Sequence, residues 1–359
     1  MHGQWIGRYS GTNRGLLVLD LDDNGSSFQG PVFAYDDDPV LPRTCARIEI
    51  EKGKNQLSSR VPLMHVDRGS NNFLSDADVT ARFPGVSVPK YADINWTLAP
   101  SSISVTWTTD IGTNGSAQIF KSEAGKPSAL KAETQSWEEF NAFVRTLEHY
   151  QFAFRGHTGN QWRLRTSFHR TGRADRWKFM AEDVASLHRH LSGLTAHRFQ
   201  LNDPFDYAAF LNLAQHHGYP TPILDWTESP FVAAYFAFRD VRSKNVISND
   251  KVRVFVLDAR AWNALGRAFA LMPGFIHLTL LEPLAINNPR ALPQQSISAW
   301  TNVDDLESFI EITEKWTGKS YLRVIDLPAS ERKKAMQDLA LMGITGGSMF
   351  PGWMAFANN

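Results

Sequence analysis

The chain has 359 residues, of which 43% are hydrophobic and 21% are charged, and its 37 lysines and arginines balance 37 aspartates and glutamates. This composition excludes a disordered chain and a protein that binds polyanions over its whole surface. The length predicts two domains, because a single domain usually holds about 100–200 residues.

Cysteine content and the N-terminal sequence bear on the cellular compartment. Cys45 is the only cysteine, which excludes an intrachain disulfide and a thiolate-rich zinc cluster. The first residues, MHGQWIGRYS, lack the basic and apolar regions of a secretion signal, and no apolar run is long enough to span a membrane. We therefore expect a cytoplasmic protein with no membrane partner.

The first third of the chain has the two-residue apolar period of β-strands. Apolar runs on either side of Asn24-Gly25 predict one hairpin, and those around Asn114-Gly115 predict a second, because Asn-Gly is a preferred hairpin turn. We predict an antiparallel β domain, a sheet or a small barrel, over residues 1–121. Residues 122–135 combine Gly, Pro, Ser and charges without an apolar period, and they are predicted to be a linker.

Residues 136–359 are predicted to form a mixed domain, which makes the whole chain α+β. Ser136 and Glu139 have capping-box spacing before an apolar helical face, and the alternating stretch QFAFRGHT then predicts a strand ending in Arg155-Gly156. Further helices are predicted near 177–192, 206–217, 230–239, 304–316 and 330–341, and strands near 252–257, 277–281 and 322–325.

Polar residues are concentrated in the stretch AQHHGYPTPILDWTESPFVAAYFA, residues 214–237. Its first helix is predicted to end near Gly218, a short apolar strand follows, and Thr227 or Ser229 caps the next helix ahead of Pro230. A strand-to-helix junction of this kind exposes backbone N–H groups at the positive end of a helix dipole, which favours phosphate or another anion.

These motifs resemble the FRG domain family, which is named for a Phe-Arg-Gly motif. The matching stretches are FAFRGH, WRLRTSFHR at 162–170, the stretch at 214–237, NPRALPQQS at 288–296 and LALMGITGGSMFPG at 339–352. The resemblance covers residues 136–352 and does not include the first domain.

The FRG domain is distantly similar to the ADP-ribosyltransferase fold, and this similarity implies NAD as a substrate. In that fold an arginine at a strand end contacts NAD, a Ser or Thr on a later strand leads into a helix, and a late Glu or Gln closes the site. The comparison implies Arg155, Thr227 and Gln294 for these three catalytic positions. Transferases of this fold normally use a carboxylate at the third position, so Asp225 or Glu228 would supply the missing charge.

The same resemblance implies which residues bind NAD, and Gly156 among them would let the backbone come close to the ligand. The implied set is Arg155, Gly156, His157, His216, Tyr219, Thr221 and Thr227. No metal is expected, because the adjacent His216 and His217 point in different directions on a helix and no third-ligand motif accompanies them.

Between Arg155 and Arg198, nine basic residues outnumber three acidic ones and are interleaved with Trp162, Phe168 and Trp177. Cations mixed with aromatic side chains are typical of sites for single-stranded nucleic acid. The alternative is a solvated basic surface. The arginines predicted to bind nucleic acid are Arg163, Arg165, Arg170, Arg173 and Arg176.

The resulting hypothesis is an NAD-dependent ADP-ribosyltransferase, a toxin of a phage-defence or toxin–antitoxin system, that modifies RNA or DNA. One alternative is a non-catalytic module that binds a nucleotide or a nucleic acid, and another is an NAD glycohydrolase with water as acceptor. The missing carboxylate near Gln294 separates the enzyme from the binding module. For a toxin, the first domain is expected to contact an antitoxin, a chaperone or the target.

Overall fold

Two β-sheets, one from each half of the chain, organise the computed structural model, which describes residues 1–195, 197–241, 250–266 and 275–351. The first sheet has ten strands and the second has seven. Antiparallel strands in the first half and mixed helix and strand content in the second confirm the predicted α+β class.

The first sheet consists of β1 (Gly3–Gly11), β2 (Gly15–Asp23), β3 (Ser27–Asp36), β4 (Arg43–Glu51), β5 (Gln56–Pro62), β6 (Met64–Val66), β7 (Phe73–Leu74), β8 (Tyr91–Leu98), β9 (Ser102–Thr109) and β10 (Asn114–Lys121), with helix α1 (Asp76–Arg82) after β7. The antiparallel strands follow the order β5-β8-β9-β10-β1-β2-β3-β4-β6-β7. β4 also contacts β5, so the sheet curves until its edge strand β5 lies beside β4. Alternate residues, among them Trp5, Leu19, Ile48 and Trp96, face inward and form one core.

The two predicted hairpins are present, but one turn lies elsewhere. Asn24 and Gly25 form the turn between β2 and β3, where Gly25 has φ +87°. The second turn is not at Asn114-Gly115 but earlier, where Gly112 has φ +83°. Gly115 pairs within the ladder, and a Cβ there would come within 2.4 Å of the Trp107 ring. Close packing of an indole, rather than a turn, therefore accounts for this glycine.

The second sheet consists of β11 (Glu133–Thr134), β12 (Phe152–His157), β13 (Ile223–Thr227), β14 (Lys251–Asp258), β15 (Leu278–Leu281), β16 (Ser296–Thr301) and β17 (Leu322–Pro328), in the order β11-β17-β14-β12-β13-β16-β15. β11 runs parallel to β17, and the other pairs are antiparallel.

The helices of the second half are α2 (Trp137–Val144), α3 (Ser167–Arg170), α4 (Arg176–Lys178), α5 (Ala185–Leu194), α6 (Pro204–His216), α7 (Pro230–Arg239), α8 (Ala259–Asn263), α9 (Leu306–Thr317), α10 (Arg332–Leu341) and α11 (Gly346–Met349). A π-helical turn, Phe179–Val184, joins α4 to α5, and a 3₁₀ turn, Ala329–Glu331, precedes α10. α2, α7 and α10 pack on one face of the sheet, and α8 and α9 pack on the other.

Local signals in the sequence mark several of these helix starts correctly. The predicted capping box begins α2, because Ser136 Oγ accepts from Glu139 N at 3.2 Å and Ser136 N donates to the Glu139 carboxylate at 2.7 Å. Ser229 caps α7, and its hydroxyl accepts from Val232 N at 3.3 Å. α7 thus starts at Pro230, directly after β13, and this junction places the polar end of β13 beside β12.

The predicted linker takes part in the second sheet. Glu133 and Thr134 form β11 beside β17, and Ser128 N donates to the carbonyl of Gln161 at 2.8 Å. Residues 124–127, earlier in the segment, line the cleft described below.

Polar contacts join the two halves at one end of the first sheet. The Asp22 carboxylate accepts from the backbone N–H of Ala174 at 2.6 Å and from Arg173 Nε at 3.1 Å. Gln4 donates to the carbonyl of Asn302 at 2.8 Å and accepts from Asp304 N at 3.0 Å. The halves therefore meet through specific hydrogen bonds on β1 and β2.

None of the helices in the described part of the chain combines the length and apolar character needed to cross a membrane.

Candidate functional site

A cleft of about 920 Å³ opens in the second half where β12 and β13 separate. β12 pairs with β14 from Phe152 to His157, but it pairs with β13 only at Phe154 and Thr227. The side chains between the two strands therefore face open volume instead of a neighbouring strand. The wall includes Arg155, Gly156, His157, Trp162, Arg170, Asn212, Gln215, His216, Asp225, Thr227, Arg239, Asp240, Arg290, Gln294 and Phe350.

Arg155 spans the gap between the two strands. Its Nε–H donates to His157 Nε2 at 3.0 Å, and its Nη1 donates to the backbone carbonyl of Asp225 on β13. Burial lowers the pKa of Arg155 to about 10, which still leaves the guanidinium charged at neutral pH. A fixed cation thus stands at the head of the cleft.

His157 orients that cation. Its Nδ1 bonds the carbonyl of Trp162 at 3.1 Å, and its Nε2 accepts from Arg155, so Nδ1 carries the proton. Burial, with the neighbouring Arg155 charge, lowers the pKa of His157 to about 3. A neutral imidazole therefore holds the guanidinium without competing for an anion.

Thr227 and Gln294 lie close together, as the resemblance implied, but their side chains are engaged within the protein. Thr227 Oγ1 donates to the carbonyl of Gln294 at 2.6 Å and accepts from Ser229 N at 3.0 Å. Gln294 Nε2 donates to the carbonyl of Met349 at 2.8 Å. These bonds tie β13, the start of β16 and α11 to one another.

Asp225 is the carboxylate of the cleft wall that has no ion pair among the described residues, because Asp240 pairs with Arg239. Its side chain faces the open volume and is exposed there. Desolvation by the surrounding protein atoms raises the pKa of Asp225, and the nearby Arg155 charge and a hydrogen bond with Gln215 oppose the change. Glu228, the other predicted source of negative charge, does not line the cleft.

Three arginines of the cleft have no carboxylate partner within the described ranges: Arg155, Arg170 and Arg290. Arg170 is exposed and donates to the backbone carbonyl of Arg165 at 3.2 Å. The Arg290 guanidinium lies over the ring of Phe350, 5.1 Å from its centre. Three arginines without ion pairs, against the one unpaired carboxylate of Asp225 in the described wall, favour an anionic ligand in this cleft.

Four of the five arginines predicted to bind nucleic acid are occupied within the protein. Arg176 is buried, with its guanidinium over the Trp300 ring, and three others pair with carboxylates. The ion pairs are Arg163–Asp305, Arg165–Asp304, Arg173–Asp22 and Arg173–Asp183. Only Arg170 remains exposed, so a path along all five does not fit the structure. Of the acids that neutralise these arginines, Asp304 and Asp305 are distant in sequence, Asp22 belongs to the first sheet, and Asp183 lies in the π-helical turn.

The implied NAD-binding residues divide into two groups. Gly156 and His216 line the cleft with Arg155, His157 and Thr227, and burial lowers the pKa of His216 to about 4. Two others lie outside the cleft wall and hold neighbouring elements. Tyr219 donates to the Asp183 carboxylate at 2.7 Å, and buried Thr221 donates to Gln215 Oε1.

The reason for Gly156 also differs from the prediction. A Cβ at this position would lie 1.9 Å from the carbonyl oxygen of Ala233 on α7. The glycine therefore permits close packing of α7 on β12, whereas the prediction attributed it to the approach of a ligand.

Several residues of the cleft were missed at the level of sequence. Asn212 and Gln215 lie one turn apart on α6, and buried Asn212 bonds Ser298 Oγ at 3.3 Å. Arg290 stands in the NPRALPQQS stretch, which was matched as a motif without a role for this arginine. A cation beside a matched motif is the signal that could have identified it. No cluster of His, Cys, Asp and Glu in the described part of the chain is placed to hold a metal ion.

Comparison with known proteins identifies part of this half. A family model described as the FRG domain matches residues 150–246, which include β12, β13 and α7. No curated protein matches the chain. Among solved structures, two redesigned β-barrels, one of them mFAP1 bound to DFHBI, and a de novo designed fluorescence-activating β-barrel share 9–13% identity with it. They cover 33–34% of this chain and 91–94% of their own, with TM-scores of 0.21–0.24, too low to support a shared fold.

Proposed function

Because residues 150–246 form an FRG domain, we propose that the cleft of this domain binds NAD and that the protein transfers ADP-ribose from NAD to an acceptor. One observation carries the proposal: three arginines without carboxylate partners surround a cleft of about 920 Å³ whose wall also holds the unpaired carboxylate of Asp225.

The arginines fit the pyrophosphate of NAD. A guanidinium binds phosphate oxygens through two parallel N–H donors, and hydrogen bonds between charged groups are stronger than neutral ones. Arg155 is already oriented by His157 and by the Asp225 carbonyl, so little side-chain freedom is lost when it binds an anion. Arg170 lines the same cleft as Arg155, so both charges are available to one anionic ligand.

Aromatic rings at the cleft fit the planar bases of NAD. Trp162 is 53% exposed and follows His157 closely in the wall, and Phe350 lies beneath the Arg290 guanidinium. Bases stack on such rings without sequence-specific hydrogen bonds. We assign these two rings to the adenine and nicotinamide ends of the ligand.

Asp225 supplies the negative charge that the Gln294 position lacks. In the proposed reaction the bond between nicotinamide and ribose C1′ breaks, and its electron pair leaves with nicotinamide. An acceptor hydroxyl forms the new bond to C1′ and gives its proton to the Asp225 carboxylate. A carboxylate beside C1′ also stabilises the oxocarbenium-like transition state.

The acceptor proposed is RNA or DNA, and this proposal now rests on fewer residues than the sequence suggested. Exposed Arg170 and Trp162 combine a cation with a stacking surface at the cleft wall. A toxin role in phage defence, with the first domain contacting an antitoxin or a chaperone, belongs to the same proposal. Identification of the acceptor would show which antitoxin or chaperone to look for.

A binding module without chemistry is the second candidate, and a specific observation favours it. The Thr227 hydroxyl and Gln294 Nε2 both make hydrogen bonds within the protein, which leaves fewer groups to engage a ribose. In that case the cleft would hold a nucleotide unchanged. Hydrolysis of NAD, with water as acceptor, is a third outcome of the same experiment.

The experiment is incubation of the protein with NAD labelled in the adenylate phosphate, together with separate pools of RNA, DNA and protein. Label in a pool, with one nicotinamide released per transfer, supports the transferase and identifies its acceptor. Nicotinamide release without labelled acceptor indicates the glycohydrolase, and NAD binding without release indicates the module. Asp225→Asn is the catalytic control, and absence of NAD binding would overturn the proposal.

A further inference from the structure

The first sheet encloses a second cavity, of about 170 Å³. Its wall includes inward residues of β1, β2, β3, β4, β8 and β9. The second half contacts Gln4 and Asp22 on β1 and β2 and the Phe33 ring on β3, and none of these three residues lines the cavity. All of the wall residues belong to the first half of the chain.

Small side chains create this space. Ala34, Ala46 and Ala92 lie on the wall at inward positions, where the same core has Leu19, Ile48 and other large residues. Protein interiors are normally close-packed, with few voids larger than a water molecule. An unfilled apolar volume of this size lowers stability, so its retention indicates an occupant.

The Tyr9 hydroxyl and the His65 ring, two polar groups of the wall, already have partners in the chain. Tyr9 donates to the Asp36 carboxylate at 3.1 Å. His65 bonds the Pro89 carbonyl through Nε2 at 2.9 Å and Thr44 Oγ1 through Nδ1 at 3.4 Å. A charged or strongly polar ligand would lose its water without gaining hydrogen bonds here. The cavity thus selects for an uncharged ligand.

Aromatic rings make the wall suited to a planar ligand. Trp96 and Trp107 both line the cavity, and the Tyr9 ring meets the Trp107 ring edge to face with centres 5.6 Å apart. Edge-to-face and offset-stacked contacts are the favoured arrangements of aromatic pairs. A third ring inserted beside these two would extend the same packing.

From this volume, polarity and wall we propose that the interior of the first sheet is a binding site for a small, uncharged aromatic molecule. The site is separate from the cleft between β12 and β13 and does not depend on NAD chemistry. Its ligand is the size of one or two fused rings, because an apolar cavity of about 150 Å³ holds benzene.

Titration calorimetry of the full chain with benzene and with indole tests the site, and benzoate serves as a charged ligand of similar size. We expect one equivalent of benzene or indole to bind and benzoate not to bind. Ala46→Leu fills the cavity from its wall. The affinity of this variant for benzene and indole should therefore fall by at least about tenfold while the fold is retained. Ala117→Leu is the matched control, because Ala117 lies in the same core but not on the cavity wall.

The outcomes separate cleanly. Benzene or indole binding that Ala46→Leu removes and Ala117→Leu keeps supports the site. If Ala46→Leu does not fold, Ala92→Leu tests the same wall. NMR contacts between bound indole and the Trp96 and Trp107 rings then show whether the wild-type chain binds indole in this cavity. Absence of benzene and indole binding to wild type, equal binding of benzoate, or binding unchanged in a folded Ala46→Leu chain overturns the proposal.

Discussion

Replacement of Arg155 by Ala should weaken NAD binding and also destabilise the second half. The lower limit for two charge-assisted hydrogen bonds to phosphate, about 1.5 kcal/mol each, gives a loss of about 3 kcal/mol. That loss corresponds to a Kd about 100-fold weaker, at about 1.4 kcal/mol per tenfold change. The loss should be seen by titration calorimetry of NAD into the purified variant.

The structural cost of the same change follows from the bonds Arg155 makes. It donates to His157 and to the Asp225 carbonyl, and a net hydrogen bond contributes about 1 kcal/mol. A loss of about 2 kcal/mol lowers Tm by about 4–8 °C in a domain of 150–250 residues. The matched control is Arg260→Ala, since Arg260 is exposed outside the cleft and pairs with Glu148. A folded Arg155→Ala chain that binds NAD as tightly as the control would refute the reasoning.

Four further changes follow from the structure. Asp225→Asn should keep NAD binding but lose nicotinamide release, and wild-type release should fall as the pH drops through the raised pKa of Asp225, since the protonated carboxyl has no charge; a variant that releases nicotinamide normally would contradict this. Gly156→Ala should lower Tm by several degrees, because its Cβ would meet the Ala233 oxygen at 1.9 Å; an unchanged melting curve would exclude that contact. Gln294→Glu should loosen α11, because a carboxylate cannot donate to the α11 carbonyl that the amide now binds, and hydrogen exchange should rise across this helix; unchanged exchange there, with faster turnover, would favour a direct catalytic role. Burial raises the pKa of Asp20 from 3.8 to about 8. The stability that protonated Asp20 contributes is therefore present below pH 3.8 and is lost as the pH rises through 8. Asp20→Asn should gain Tm relative to wild type across that interval, and a Tm difference that does not change with pH would contradict this.

Local patterns in the sequence predicted much of the fold. The two-residue period identified the strands of the first sheet, and Asn24-Gly25 identified a turn because the turn geometry depends on those two residues alone. The start of α2 was predictable for the same reason, since Ser136 and Glu139 satisfy each other's backbone groups within one turn.

Features that depend on distant contacts were not predictable. Gly115 and Gly156 are glycines because of Trp107 and of α7, and neither neighbour can be recognised from the residues beside them. The same limit applies to the basic stretch, where Arg163 pairs with Asp305, far along the chain. A run of cations shows where positive charge is, but only the fold shows which carboxylates neutralise it.

The sequence predicted the central residues of the candidate site but not the residues at its edges. Arg155 and Asp225 were identified from motifs on β12 and β13, and the structure places both in one cleft. Arg290 and Phe350 reach the same volume from segments with no regular pattern of their own, so periodicity could not assign them.

The most direct test of the central claim is a titration of NAD into the purified full chain, with nicotinamide release followed in the same sample. We predict saturable binding that Arg155→Ala weakens, together with release of nicotinamide that Asp225→Asn abolishes. A wild-type chain that neither binds NAD nor releases nicotinamide from it, with or without RNA and DNA present, would contradict the account.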